Sequence, residues 1–281
     1  MLSNSLVRVR PTTRAGNPSC VKLLAAALLV LTGLSQLGHA QGAGPSTPVA
    51  GAPLTTEQIV QNLVRRNAER AEALRSYQGT RTYRLEYRGF PSARSAEMIV
   101  NVKYLSPGTK EFVVQSATGS KLIIDKVFKK LLEAEEEALD APMQRRTALN
   151  CDNYQFAMVG YETGPSGATY VLRVEPRRKD KFLYRGRIWV DAKDFAVVRL
   201  QAEPAKNPSF WIKNTEVEQA YTKVDNFWLP ARNRSVSAIR LGGRAELTIE
   251  YKEYEVTGSN HHRGIDASGS TTLADAARTR R

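Results

Sequence analysis

Between residues 181 and 256, apolar side chains recur at every second position, the period of strands with one buried face. Ile188 and Val190 alternate with Arg187, Trp189 and Asp191. Asp191-Ala192-Lys193-Asp194 then reads as an Asp-rich turn, and residues 195–200 resume the alternation, so the pair predicts a hairpin. Residues 211–221, 228–241 and 244–256 continue the run, with Gly242-Gly243 as a two-residue connection suited to a primed turn. The pattern is that of an antiparallel meander, and everything upstream is arranged to be laid on it.

Upstream, residues 55–77 change to helical spacing. Thr55 and Gln58 have the spacing of a capping box. Ile59, Val60, Leu63, Val64, Ala71 and Leu74 form an apolar stripe, with Arg65, Arg66, Glu69, Arg70 and Glu72 on the other face. Residues 78–89 alternate Tyr83, Leu85 and Tyr87 against Arg84, Glu86 and Arg88, a strand with one polar face. Two further strands, 93–105 and 110–117, flank the turn Ser106-Pro107-Gly108-Thr109. Residues 121–139 return to helical spacing: Leu122, Ile123, Ile124, Val127, Phe128, Leu131 and Leu132 make a wide apolar stripe, while Lys126, Lys129, Lys130 and the acidic run 133–137 read as solvated. Such a helix inside a β protein must lie over the sheet, and a helix that only covers a sheet face is the element most able to swing away. A last hairpin, 153–160 with 168–175, aligns Tyr154, Phe156 and Met158 with Tyr170, Leu172 and Val174. The sum is a mainly β chain of about ten strands and two or more helices, without an internal repeat.

Charge and targeting narrow the class. Arg8, Arg10, Arg14 and Lys22 precede the twelve-residue apolar stretch 23–34, and Gly38-His39-Ala40 supplies a small-residue cleavage site. Residues 1–40 are therefore expected to be a cleavable signal peptide, the apolar stretch being too short to span a bilayer. Cys20 lies ahead of that stretch, so the signal is not of the lipidated kind, and a soluble exported protein is expected. Residues 41–53 read as a disordered linker, 54–256 as one β domain and 257–281 as a disordered tail, both flanks being poor in large apolar residues. Cleavage takes away four of the 41 basic residues and none of the 28 acidic ones, leaving a net +9. These charges are scattered along strands without the motifs of nucleic-acid readers, so no nucleic-acid partner is expected, and anionic lipid headgroups are the more natural counterpart.

No nucleophile triad, phosphate loop or zinc spacing is present, and neither a cofactor nor a metal is implied. Cys151, the one thiol after cleavage, reads as a half-buried structural residue. His261 and His262 fall in the tail. Glu133 and Glu137 share a helix face with Lys129 and Lys130 a turn earlier, a charged surface rather than an acid/base pair. The chain reads as a binding protein, not an enzyme.

Several local patterns carry a resemblance. The first helix ends Leu74-Arg75-Ser76-Tyr77 and runs straight into a strand, and Pro107 in a turn is followed by the aromatic strand residue Phe112. Gly186-Arg187-Ile188-Trp189-Val190-Asp191, then Phe195-Ala196-Val197-Val198-Arg199, and later Asn226-Phe227-Trp228-Leu229-Pro230 and Tyr251-Lys252-Glu253-Tyr254, complete the set. Over roughly residues 55–256 the chain resembles the LolA/LolB-like periplasmic carriers of outer-membrane lipoproteins. That resemblance implies an incomplete antiparallel barrel covered by helices and a periplasmic monomer. Its implied cargo is a lipoprotein or another lipid, exchanged with inner- and outer-membrane partners. In such a carrier Tyr83, Leu85, Phe112, Val114, Leu131, Phe156, Ile188, Trp211 and Trp228 would line the acyl-chain cavity, and Leu122, Val127, Phe128 and Leu132 would form the lid's inner face. The family's enteric members carry a basic latch residue before the hairpin proline, where this chain has Ser106; Lys103, Arg84 and Arg88 are basic residues nearby. The same half-barrel also occurs in a periplasmic sensor restraining a stress regulator, so a regulatory or scaffold module is the alternative.

Magnitudes shape what a carrier must do. At about 0.8 kcal/mol per methylene, enclosing a chain of about 14 methylenes is worth about 11 kcal/mol, too much for ready hand-over unless something offsets it. A shuttle should hold its cargo shallowly, under a movable cover.

Overall fold

The computed structural model of the chain describes residues 54–164, 167–207, 210, 212–240 and 242–259. The expected signal peptide and linker, Trp211, and all but the first residues of the expected tail lie outside the described residues. Helix α1 (Thr56–Ala73) leads into β1 (Leu74–Gly89), β2 (Arg94–Leu105) and β3 (Thr109–Gly119). Next come α2 (Lys121–Ile123), a π turn (Ile124–Phe128), α3 (Lys129–Glu137) and α4 (Ala141–Thr147). The second β run follows: β4 (Tyr154–Gly164), β5 (Gly167–Pro176), β6 (Tyr184–Asp191), β7 (Val197–Pro204), β8 (Ile212–Val224), β9 (Phe227–Ile239) and β10 (Gly243–Ser259).

All ten strands form one antiparallel sheet in the order β3-β2-β1-β10-β9-β8-β7-β6-β5-β4. It does not close: β3 and β4, consecutive in the chain, are its two outer strands. Their connection, residues 120–153, therefore has to cross the open side, and it carries α2, α3 and α4 with it.

Strand register decides which side chains share a face. Direct partners run Met98–Tyr83–Ile249–Asn233–Gln219–Leu200–Ile188–Leu172 across the sheet, and Ala96–Leu85–Leu247–Ser235–Val217–Ala202 beside them. Both ends of this inward face are apolar; its middle, on β8 and β9, carries the buried polar side chains Thr215, Gln219, Asn233, Ser235 and Ser237. Two separate covers match the two apolar ends. Ile59, Val60 and Leu63 of α1 pack with Leu172, Ile188, Leu200 and Val217. Ile123, Val127, Phe128, Leu131 and Leu132 pack with Tyr83, Leu85, Met98, Val100, Leu247 and Ile249.

Local chemistry sets the ends of these elements. The capping box of α1 is formed on both sides, Gln58 N–H donating to Thr55 Oγ1 and Thr55 N–H to Gln58 Oε1. Gly242 and Gly243 have φ of +85° and +132°, a region open to glycine, but Gly243 is already the first residue of β10, so the connection is not the expected Gly242-Gly243 pair. Asp191 accepts from the backbone N–H of Lys193 and Asp194 at 2.9 and 2.7 Å, which fixes the β6–β7 turn.

Several expected boundaries move. Leu74–Tyr77 are strand, not the end of the first helix, because Ser76 and Tyr77 pair with Leu105 and Tyr104 while Leu74 packs beside Phe227 and Leu229. Phe195 belongs to the turn, with φ +48°, and β7 starts at Val197. The helix expected over 121–139 is interrupted by the π turn, where Lys129 N–H reaches back to Ile124 O, and it ends at Glu137; α4 follows it unannounced by the pattern. Beyond residue 256, β10 continues to Ser259, with Gly258 opposite Ser76. Cys151 is exposed, not half-buried, since it sits in the turn entering β4.

Candidate functional site

The interrupting segment, α2 through α3, docks on β1, β2 and β10 by its apolar stripe and by one polar node. Glu135 accepts from Arg81 Nη1 at 2.6 Å and from Lys110 Nζ at 2.7 Å. The side chains are only 4 % (Arg81), 2 % (Lys110) and 12 % (Glu135) exposed, so this is an interior contact and not a surface bridge. Burial alone would push the Glu135 carboxyl up, but Arg81 and Lys110 overcome it and hold the group down at about 2. The Arg81 guanidinium lies over the rings of Tyr251 and Phe112, 5.0 and 5.8 Å from their centroids. Tyr83, deep beneath, has its hydroxyl pushed up to about 12 by burial, and its ring packs at 5.9 Å from Phe128.

This node corrects the expectation that residues 133–137 are all solvated: Glu135 is the inward member of the run. The basic residues holding the cover are Arg81 and Lys110, whereas Arg84 pairs with Glu97 on the outer face, Arg88 pairs with Glu86, and Lys103 is exposed. A signal for the node exists in the sequence. Arg81 shares the odd-numbered register of Tyr83 and Leu85, Lys110 the even register of Phe112 and Val114, and Glu135 follows Phe128, Leu131 and Leu132 at helical spacing.

The first cover is tied down differently. Arg70 Nη1 donates to Asp194 O at 2.8 Å and Nη2 to Phe195 O at 3.1 Å, which pins α1 to the β6–β7 turn. Desolvation lowers the Arg70 guanidinium despite Asp194. Asp194 Oδ2 in turn accepts from Lys223 Nζ at 2.6 Å and Trp228 Nε1 at 2.8 Å.

A seam cavity of about 140 Å³ lies between the second half of α1 and the sheet and reaches Lys110 of the node; its walls include Arg70, Tyr77, Tyr104, Lys110, Tyr221 and Trp228. Among the described residues no carboxylate lines it. The Tyr221 hydroxyl is buried without a hydrogen-bond partner among the described residues, and burial pushes it up. Tyr104, acted on by Ser106 and Lys110, also completes no hydrogen bond of normal geometry.

The expected cavity residues do not form one pocket. Tyr83 and Leu85 are buried under the interrupting segment in one cluster with its own Leu131, with Phe112 and Val114 packed partly buried at its border. Ile188, with Phe156 beside it, belongs to the cluster under α1. Trp228 lines the seam cavity, and Trp211 lies outside the described residues. Of the expected lid residues, Val127, Phe128 and Leu132 face the sheet, but Leu122 is 53 % exposed because its neighbours at helical spacing, Asp125 and Lys126, are on the solvent side. Among the described residues no group of three or more His, Cys, Asp or Glu is placed to hold a metal ion, and no helix is long and apolar enough to cross a membrane.

Fold and site together define an open antiparallel sheet with two helical covers over one face. No family model matches the sequence, and no curated protein matches it. In structure the chain is similar to a DUF1329 family protein from Desulfovibrio piger, at 12 % identity over 74 % of this chain and 94 % of that one, TM-score 0.37. It is similar also to a domain assigned to outer membrane lipoprotein sorting from Vibrio parahaemolyticus, at 12 % identity over 75 % and 96 %, TM-score 0.36. A LolA superfamily protein from Nitrosomonas europaea is similar at 9 % identity over 73 % and 94 %, TM-score 0.31.

Proposed function

We propose that this protein is an exported, periplasmic carrier that shields the acyl chains of a lipoprotein or another lipid, with residues 121–137 as its movable cover. The observation that carries the reading is the segment's mode of attachment: five apolar side chains and one ion-pair node on an open sheet, beside a cavity. Ile123, Val127, Phe128, Leu131 and Leu132, at roughly 1.5–3 kcal/mol each, contribute about 7–15 kcal/mol of burial. An acyl chain of about 14 methylenes contributes about 11 kcal/mol on the same scale. Replacing one by the other is therefore nearly balanced, which is what loading and hand-over both require. The π turn inside the segment supports the reading, such turns being frequent where helices serve a function.

Protein purified from periplasm should yield acyl species on lipid extraction and mass spectrometry, and the stripped protein should bind a fluorescent fatty acid. Absence of both would overturn the carrier reading. A regulatory or scaffold module is the second reading, and it draws on the outer strand β4, where Val159 and Tyr161 are exposed beside an unpaired edge. It predicts a protein that elutes from periplasmic extract in a stable complex and carries no lipid.

A further inference from the structure

The ion-pair node is not electrically balanced. Arg81 and Lys110 bring two positive charges and Glu135 one negative charge, all three in the interior. Ring faces of Tyr251 and Phe112 shield Arg81 but supply no counter-charge. Buried charge without a partner is costly, so a surplus cation in the interior is the feature a ligand's anion would relieve.

Where that surplus lies in relation to empty space decides what it is for. Lys110 belongs both to the node and to the wall of the seam cavity. The same wall includes a second cation, Arg70, no carboxylate among the described residues, and the part-exposed Tyr221, whose buried hydroxyl has no hydrogen-bond partner among them. Arg70 spends its guanidinium on Asp194 O, Phe195 O and Asn67 Oδ1, so it adds positive field more than a free donor. Leu74, Phe227 and Leu229 provide the apolar remainder of the lining. At about 140 Å³ the space is similar to the ~150 Å³ cavity known to take a benzene ring, enough for a small charged head and the first carbons behind it.

We propose that the seam cavity is the binding site for the anionic head of an acyl-chain molecule, a carboxylate or phosphate, with Lys110 as its counter-ion and the Tyr221 hydroxyl as a hydrogen-bond donor. The proposal rests on the carrier reading and adds to it the chemistry of the cargo: the head is acidic and enters beside α1, next to the node's Lys110, while the chain takes the apolar face released beneath residues 121–137. A head with no charge leaves the node's surplus unmet.

The test uses the full mature chain with the other two tryptophans, Trp189 and Trp211, replaced by Phe, so that the fluorescence is that of Trp228, which lines the cavity. Three quenchers with the same brominated chain are titrated: dibromostearic acid, dibromostearyl alcohol and a lysophosphatidic acid. The anionic pair should bind at least about tenfold more tightly than the alcohol, the scale of a charge-assisted hydrogen bond. The stronger of the two anions identifies the head as carboxylate or phosphate. Trp228→Phe should remove the quenching signal, and Ala71→Phe, which fills the cavity, should abolish binding of all three. Tyr221→Phe should weaken the acids several-fold and the alcohol less, a bond to a neutral acceptor being the weaker one, and Lys110→Met should bring acid and alcohol to similar affinity. Equal affinity of acid and alcohol for the wild type would overturn the charge assignment while leaving acyl binding intact. Quenching that survives Ala71→Phe would place the site elsewhere and overturn the proposal. No quenching by any probe would remove the carrier reading as well.

Discussion

Glu135 shows how a single side chain converts a greasy contact into a specific one. Glu135→Gln strands two cations in the interior and should cost about 3–5 kcal/mol, measured as a loss of chemical-denaturation stability. Lys110→Met should cost clearly less, because Arg81 and Glu135 remain a neutral pair; equal costs would show that the node carries no surplus charge. The pH dependence has a definite sign. The folded Glu135 carboxyl, at about 2, is depressed from the usual 4.5, so its stabilising contribution is complete above 4.5 and is lost as pH falls through about 2. The margin of wild type over Glu135→Gln should therefore shrink between pH 4.5 and 2 and stay constant above it. The three charged residues were missed in the pattern, because an acidic run and an arginine-rich strand read as solvated until their registers are counted.

At the scale of elements, the two covers should respond differently to damage. Thr55→Ala removes the hydroxyl that caps α1 and should cost about 1 kcal/mol of global stability, read from the unfolding midpoint. Phe128→Ala empties a fully buried position against Tyr83. Because residues 121–137 rest on the sheet without joining it, the loss should appear first in hydrogen exchange: the amides of 121–137 lose protection while those of β1 and β10 keep theirs. Within the sheet there is less tolerance. A Cβ on Gly186 would lie 2.3 Å from Gln201 O and 2.6 Å from Ala202 Cα, so Gly186→Ala should push β6 from β7 and leave little folded protein by circular dichroism. The strands themselves were readable because a period of two survives any tertiary context that buries one face. Helix ends were not: Leu74 and Tyr77 continue the helical stripe in sequence, yet pairing with β2 and β10 claims them for the sheet. The π turn and α4 leave no distinct apolar spacing, so nothing in the pattern announced them.

At the scale of the whole molecule, the consequential fact is that β3 and β4 are neighbours in sequence and opposite edges in space. The connection between them must therefore cover the face that an open sheet exposes, and its composition, apolar toward β1 and charged outward, suits a cover in water. Alternation along each strand was enough to predict the strand number. It could not predict that the inward face would divide into two apolar ends and the polar middle of Thr215, Gln219, Asn233, Ser235 and Ser237, because that division depends on which strands become neighbours. The expected lining residues were scattered for the same reason: Tyr83 and Ile188 share a face but lie under different covers.

The central claim, that residues 121–137 leave the sheet when an acyl chain arrives, is open to a distance measurement. Spin labels at Lys126→Cys and Glu86→Cys, both exposed, with Cys151→Ser to remove the exposed native thiol, report the separation of cover and β1 by double electron–electron resonance. The account predicts one narrow distance without lipid and a second, longer one that grows as oleate is added. A distribution that stays unchanged while oleate is bound would contradict it.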